Sequence, residues 1–474
     1  MIGEGHTRLK SGGDGCRGKL KVARELAFLM ILLHVADIHF RHPECAGPMD
    51  PDRPYRTMLL RHVKEQVSHL GSIDAILVGG DIAFRGIAEE YEAARLWLAE
   101  LAEAGRCSLD DIFVVPGNHD VNRDVIRHQA DVRNAQAAIL NAQAGNRERE
   151  LINQFRDARA GASLLAPVGA YNQFAAQFNC QVYAPDKLFW HQDRVLSPSV
   201  KLRIFGLTST LLSGAGAPRN VEDTKLSLYL SPFQTVLDPV DGVVNLVLGH
   251  HPPDWFLDHD DVDDAIQGRA ALHFFGHKHR QRIHCDTGYV RFAAGAVNPD
   301  RREPGWEPGY NIVEVAAEDE EHGFRLQVKA HLFAWQTNPD GFHPKVAHDG
   351  GFIFRHSIPV RRAGRGPIRQ VPQSTTAAAA QSATMATLAE AAQPAADPEV
   401  VMSEPRTRNL VFRFWSLSSS QRRDIAKGLG LITDDDMRLP EPERYGRALI
   451  AAGERGLLEK VAEAVERMEG NANG

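Results

Sequence analysis

Cysteine is scarce and irregular in this chain: five residues, Cys16, Cys45, Cys107, Cys180 and Cys285, odd in number and in no CxxC pair. That arrangement excludes a disulfide framework and a zinc ribbon, and it fits a reducing, cytoplasmic compartment. Long apolar runs are missing as well. None approaches the roughly 18 residues of a membrane span, so no membrane partner is expected. Nor is positive charge in excess. With 54 Lys and Arg against 61 Asp and Glu, the net charge of −7 supplies no global field for nucleic acid and leaves open only a local basic groove.

What is present describes an ordinary globular protein, 43% hydrophobic and 24% charged, long enough at 474 residues for two or more domains. Residues 1–29 are Gly-rich, charged and aperiodic, and read as a disordered extension. Lys10, Arg17, Lys19, Lys21 and Arg24 ahead of the apolar stretch from Leu26 mimic a signal peptide. Cleavage there would remove the strand leading to Asp37 and His39, so that reading is rejected. From Arg362 to Glu404, Ala, Gln, Pro, Thr and Ser dominate. Such a segment buries too little apolar surface to offset its ordering entropy, and a flexible linker is expected over 362–404. Residues 405–474 read as a small all-α domain. They carry the apolar cluster Val411, Phe412, Phe414 and Trp415, a capping box from Ser418 and Gln421, and helical periodicity over 443–452 and 457–468.

Residues 30–361 hold a recurring pattern, an apolar run closed by a polar tip. Met30 to Leu33 leads to Asp37-Ile38-His39, Ala75 to Val78 to Gly80-Asp81, and Ile112 to Val115 to Gly117-Asn118-His119-Asp120. Val243 to Leu248 leads to Gly249-His250-His251, and Ala271 to Phe275 to Gly276-His277-Lys278-His279. Helical periodicity over Arg56 to Leu70 and Glu89 to Ala104 sets helices between the first three runs, which predicts a layered α/β core. The carboxyl ends of strands are where open α/β sheets keep ligands. Asp, Asn and His are the oxygen and nitrogen donors that hold divalent metals. About 80 mainly helical residues separate Asp120 from the strand expected at Lys201 to Leu207, too many for a loop, and read as a cap inserted over 121–200. Strands are expected to resume at Val200 to Gly206, Val243 to Leu248 and Ala271 to Phe275. Short alternating runs follow at Gly288 to Ala293, Tyr310 to Val315, Phe324 to Phe333 and Phe352 to Phe354, and that half reads as a second sheet packed on the first.

The blocks D-x-H, G-D, G-N-H-[DE], G-H and G-H-x-H all occur in order, and over about residues 30–360 the chain resembles the calcineurin-like metallophosphoesterase superfamily. One departure is Ala36, where many relatives carry Ser. The resemblance implies a four-layer αββα sandwich with a helical cap. It also implies a dinuclear metal centre, with Asp37, His39 and His279 on one ion, Asn118, His250 and His277 on the other, and Asp81 bridging. A mixed O/N donor set without thiolate suits manganese, iron or zinc in a catalytic role. The implied chemistry is attack of a metal-bridging hydroxide on phosphorus, with His119 as imidazolium protonating the leaving alkoxide and Asp120 orienting and charging that imidazole. Arg85, four residues past Asp81, is a candidate for holding a substrate phosphate, with a helix cap or salt bridge as the alternative. His251 follows a ligand and points the opposite way in extended backbone, which leaves it a substrate contact or a packing role.

The leading expectation is a phosphodiesterase acting on a nucleotide or nucleic-acid phosphodiester, since a general acid beside the metals suits a poor alkoxide leaving group. The sequence also resembles bacterial cyclic-nucleotide phosphodiesterases of the superfamily. A phosphomonoesterase or protein phosphatase would keep the same chemistry. A repair exonuclease would need a basic channel that the net charge does not favour. From a different class, residues 405–474 resemble small helical adaptor domains that bacteria append to enzymes of signalling or defence systems. In that reading the phosphoesterase is an effector recruited to a protein partner.

Overall fold

The computed structural model describes residues 29–215, 223–299, 307–320, 323–346, 350–361 and, toward the C-terminus, 410–470 apart from 412, 416, 418, 434–435 and 437–440. The extension up to residue 28, the linker expected over 362–404, Phe412 of the expected apolar cluster and Ser418 of the expected capping box lie outside the described residues.

Strands β1 (Leu29–Val35), β2 (Ala75–Val78) and β3 (Ile112–Val114) run parallel in that order. On its other edge β1 pairs antiparallel with β10 (Gly309–Glu320), followed by β11 (Gly323–Thr337) and β12 (Asp340–Pro344), while β13 (Phe354–Arg361) also pairs with β11. The second sheet has β5 (Val200–Gly206), β6 (Val243–Gly249), β7 (Leu272–Phe275) and β9 (Tyr289–Ala293) in parallel, with β4 (Trp190–Ser197) and β8 (Arg282–Asp286) antiparallel at its two edges.

All four residues of β2 and the last six of β1 are buried, which explains why these strands are unbroken apolar runs: each has cover on both faces. One cover is helical. Helix α1 (Arg53–Leu70) connects β1 to β2 and buries Leu59, Val63 and Val67, and α2 (Ala88–Gly105) connects β2 to β3 and buries Tyr91, Leu98 and Leu101. Right-handed crossovers place both on the same face of the sheet. The other cover is the second sheet, where the His34 ring meets Phe274 edge-on at 5.0 Å and Phe113 stacks on Trp190 at 6.0 Å. Between β6 and β7 runs α8 (His259–Arg269), which buries Val262 and Ile266 in the same continuous core. The result is the helix-sheet-sheet-helix arrangement expected, but β10, β11 and β13, expected in the second sheet, extend the first instead, because the edge of β1 away from β2 pairs with β10.

The helical insertion is shorter than expected. Helices α3 (Arg123–His128), α4 (Ala130–Leu140), α5 (Arg147–Arg156), α6 (Ala158–Leu165) and α7 (Gly169–Ala175) fill its first part, but residues 190–197 are β4, an edge strand of the second sheet. Nor do these helices stand apart as a lid. Ile139, Phe155 and Tyr171 belong to the main core, and the Tyr171 hydroxyl donates to the Val114 carbonyl of β3 at 3.0 Å.

A second, separate core is formed by Leu410, Phe414, Trp415, Ile425, Tyr445 and Val461. Its helices are α9 (Ser419–Gly428), α10 (Glu441–Glu454) and α11 (Leu458–Gly470). Phe233 and Val236, from the turn that follows Ser231, pack against it. Among the described residues no helix is long and apolar enough to cross a membrane.

Candidate metal centre

The loops leaving β1 and β2 are joined through their backbones. The Asp37 amide donates to the Gly80 carbonyl at 3.0 Å, those of Ile38 and His39 to Asp81 at 2.8 and 3.0 Å, and that of Phe84 back to Phe40 at 3.1 Å. Such tight reversals force unusual dihedrals. Asp37, His39, Asp81, His277 and His279 all sit at left-handed φ, between 51° and 69°. Asp, Asn and His tolerate that region best among residues with a side chain, so the residue types that ligate metals are also those that can make these turns.

The structure brings the seven expected ligands together. In one group His279 Nε2 is 3.3 Å from Asp37 Oδ1, and His39 Nε2 is 3.3 Å from Asp81 Oδ2. In the other, His250 Nε2 lies 3.0 Å from Asn118 Oδ1 and 3.2 Å from His277 Nδ1. Asp81 belongs to both, since the same Oδ2 is also 3.4 Å from His250 Nε2.

These atoms fit a cation. His39 Nδ1 faces the Asn298 carbonyl at 3.3 Å and His250 Nδ1 faces the Gly79 carbonyl at 2.8 Å. A carbonyl only accepts, so both Nδ1 atoms carry the proton and both Nε2 atoms present lone pairs inward. Lone pairs and carboxylate oxygens converging from two sides repel one another unless positive charge lies between them, a need that divalent ions would meet with these O and N donors.

Electrostatics agree. Burial alone would raise the Asp37 carboxyl, but the imidazoles of His279 and His250 outweigh it and hold its pKa below the ordinary value. Burial is likewise outweighed at Asp81, where His250 and His119 hold the pKa well down. For His250, burial opposes the charged ring, yet Asp81 and Asp37 lift its pKa to about 9. The same two carboxylates would draw a divalent ion to Nε2 in the place of the ring's second proton. Burial, then the neighbouring His250, depresses His277 to about 3, leaving a neutral imidazole suited to ligation.

His119 projects into the same cluster, its ring centroid 4.8 Å from that of His39. Its backbone amide donates to Asp81 Oδ1 at 2.7 Å, and its Nδ1 donates to the Phe84 carbonyl at 3.0 Å, which leaves Nε2 for the site. Burial first, only partly countered by Asp81, lowers its pKa.

Asp120 does not orient this ring. Its Oδ1 accepts from the Ala83 amide at 2.9 Å and the Tyr91 hydroxyl at 2.8 Å, and its Oδ2 from the amides of Gly117 at 2.8 Å and Ile82 at 3.2 Å. The short 3-10 turn Asn118–Asp120 sends the two neighbouring side chains to different places, so Asp120 ties the second ligand loop to the third. Burial and the nearby Asp81 push its pKa up to about 6.

Arg85 is committed to its own loop: Nη2 donates to the His42 carbonyl at 2.7 Å, and Nε lies 3.7 Å from the buried Glu90 carboxylate. These contacts fit the salt-bridge alternative, while the side chain itself stays exposed. His251 is only 1% exposed, which removes it from substrate contact. Its Nδ1 is 2.9 Å from Ser209 Oγ, its Nε2 is buried without a hydrogen-bond partner among the described residues, and it offers a ligand atom within 4.8 Å of those of His250 and His277. Trp255 closes this side, its ring centroid 4.0 Å from that of His277. The carbonyls of Gly79, Phe84 and Asn298, which fix three imidazoles, were missed in sequence reasoning because a backbone carbonyl carries no residue-type signal.

A family model described as calcineurin-like phosphoesterase matches residues 30–281, and one described as GTPase-associated adaptor domain matches residues 406–467. No curated protein matches the chain. Similar solved structures include a Streptococcus pneumoniae protein described as a predicted phosphoesterase (12% identity, 69% of this chain and 98% of that one, TM-score 0.25). Others are Vps29 of Chaetomium thermophilum (11%, 69% and 98%, 0.27) and vacuolar protein sorting 29 of Cryptosporidium parvum (10%, 70% and 99%, 0.29).

Proposed function

We propose, from the premise that this chain belongs to the calcineurin-like phosphoesterase family, that it is a metal-dependent phosphodiesterase acting on a nucleotide or nucleic-acid phosphodiester. The observation that carries the reading is the shared position of Asp81, whose Oδ2 lies 3.3 Å from His39 Nε2 and 3.4 Å from His250 Nε2. Asp37, His39, Asp81 and His279 would hold one divalent ion, and Asp81, Asn118, His250 and His277 the other, as manganese, iron or zinc. When bound, such a pair neutralises the nonbridging oxygens of a phosphoryl group and makes water acidic enough to attack at neutral pH. His119 carries the remaining step. With Nδ1 bonded to Phe84, its protonated Nε2 delivers a proton to the departing alkoxide, a group too basic to leave unaided.

The full chain loaded with manganese should hydrolyse bis-p-nitrophenyl phosphate faster than p-nitrophenyl phosphate. The reverse preference would identify a phosphomonoesterase or protein phosphatase. Inactivity on both with manganese bound would sink the hydrolase reading.

A second reading concerns recruitment. Residues 406–467 match an adaptor domain, and their core meets Phe233 and Val236. We infer an effector phosphoesterase brought to a GTPase-linked protein partner in a bacterial signalling or defence system, with 362–404 as tether. Removing residues 363–474 should spare hydrolysis of bis-p-nitrophenyl phosphate and abolish partner binding; loss of both would refute the division.

A further inference from the structure

Arg41 stands apart from the arginines around it. Arg56 pairs with Asp50, Arg85 with Glu90 and Arg95 with Glu92. Arg41 is half-buried, and among the described residues its guanidinium has neither a hydrogen bond nor an ion pair, its Nε being shielded from solvent. What holds it is the face of Phe84, 3.9 Å from the guanidinium carbon to the ring centroid. Phe84 in turn stacks on His119 at 4.9 Å and meets His39 edge-on at 6.0 Å. By these contacts the cation lies within about 9 Å of the general-acid candidate. Its backbone is fixed as well, because Phe40 just before it is bonded to Ile82 and Phe84 and the Arg41 carbonyl accepts from Cys45 at 2.7 Å.

A fixed cation beside a centre built for two dications is repelled by them and leaves a desolvated donor, Nε, unanswered, which costs free energy in the absence of a ligand. An anion reaching both removes the cost. Arg held by a ring face keeps its planar fork available, the geometry suited to phosphate.

We propose that Arg41 binds a second phosphate of the substrate while the scissile one occupies the metal centre, so the preferred substrates are phosphodiesters carrying a further phosphate, such as short oligonucleotides or nucleoside bisphosphate esters. This rests on the phosphodiesterase reading and names its substrate class. It reassigns to Arg41 the anion-binding role that sequence alone suggested for Arg85.

The test is equilibrium binding to the manganese-loaded full chain, using thymidine 3′,5′-bisphosphate and thymidine 5′-monophosphate. The wild type should prefer the bisphosphate by about tenfold, the scale of one charge-assisted contact. In Arg41→Ala the ratio of the two affinities should fall to near one. Phe84→Leu, which keeps the carbonyl but removes the platform, should reduce it partly. No preference in the wild type, or a preference that survives in Arg41→Ala, overturns the proposal. If inorganic phosphate added beside the monophosphate is held by Arg41 equally well, the anion is a free effector and the substrate assignment is overturned. Failure of the phosphodiesterase reading shows separately, as absent hydrolysis of bis-p-nitrophenyl phosphate, and leaves the affinity ratio measurable.

Discussion

Phe84 and His119 meet twice: the carbonyl of Phe84 accepts the Nδ1 proton of His119 at 3.0 Å, and its ring lies 4.9 Å from the imidazole, tilted by only 20°. Backbone and side chain of one residue thus set both the tautomer and the plane of the other. His119→Ala should keep manganese yet lose activity most on poor leaving groups, by about 10²- to 10⁴-fold on an alkyl ester. Steady-state rates across a leaving-group series check this. An equal loss on every leaving group would remove His119 from acid catalysis.

Asp120 has the opposite profile. Its carboxylate answers three backbone amides and the Tyr91 hydroxyl, so Asp120→Ala orphans buried donors at roughly 1–3 kcal/mol each. Urea denaturation of the metal-free protein should show a loss of about 3 kcal/mol or more, with Asp120→Asn in between. The dependence on leaving group should not change in whatever activity remains. If it does, the residue acts on His119 after all.

Gly117 owes its place to space. A Cβ there would stand 2.2 Å from Asp81 Oδ1 and 2.3 Å from the Asp81 amide. Gly117→Ala should therefore displace the shared carboxylate and abolish tight manganese binding, measured by calorimetry. Gly145→Ala, where a Cβ meets nothing within 4 Å, is the control and should bind as the wild type does.

Glu148 offers a pH test. It accepts from Ser231 at 2.8 Å and Tyr229 at 3.0 Å. Burial raises its pKa from 4.5 to about 7 against the pull of those hydroxyls and of Arg422 in the helical domain. Because the folded chain holds this proton more tightly than the unfolded one, the associated stability is present below pH 4.5, declines as pH rises through about 7, and is absent above. Glu148→Gln should flatten that slope in melting temperatures recorded from roughly pH 5 to 8. An unchanged slope would place the ionisation elsewhere.

The apolar runs ending in Asp, Asn or His were readable because a strand covered on both faces is built almost wholly of apolar residues. The span expected from 75 to 78 is the one observed. Edge strands hid themselves. Trp190–Ser197 and Arg282–Asp286 leave many side chains at the surface, so their polar content reads as loop, and the insertion was drawn too long. In the site, ligand types were legible and what orients them was not. Adjacency suggested that Asp120 serves His119, but the 3-10 turn they share sends their side chains apart and the Phe84 carbonyl takes the role. Arg41 escaped notice since lacking a partner is a property of space rather than sequence.

The left-handed turns at Asp37, His39, Asp81, His277 and His279 make each of these residues answer for two things at once. Alanine at any of them removes a donor and burdens the main chain in one stroke, so a binding loss measured that way overstates the donor's share. Asparagine at Asp37 or Asp81 suits the turn while surrendering a charge, and glycine suits the turn while surrendering the whole side chain. Comparing the three replacements at one position tells how much of the centre's affinity is chemistry and how much is posture.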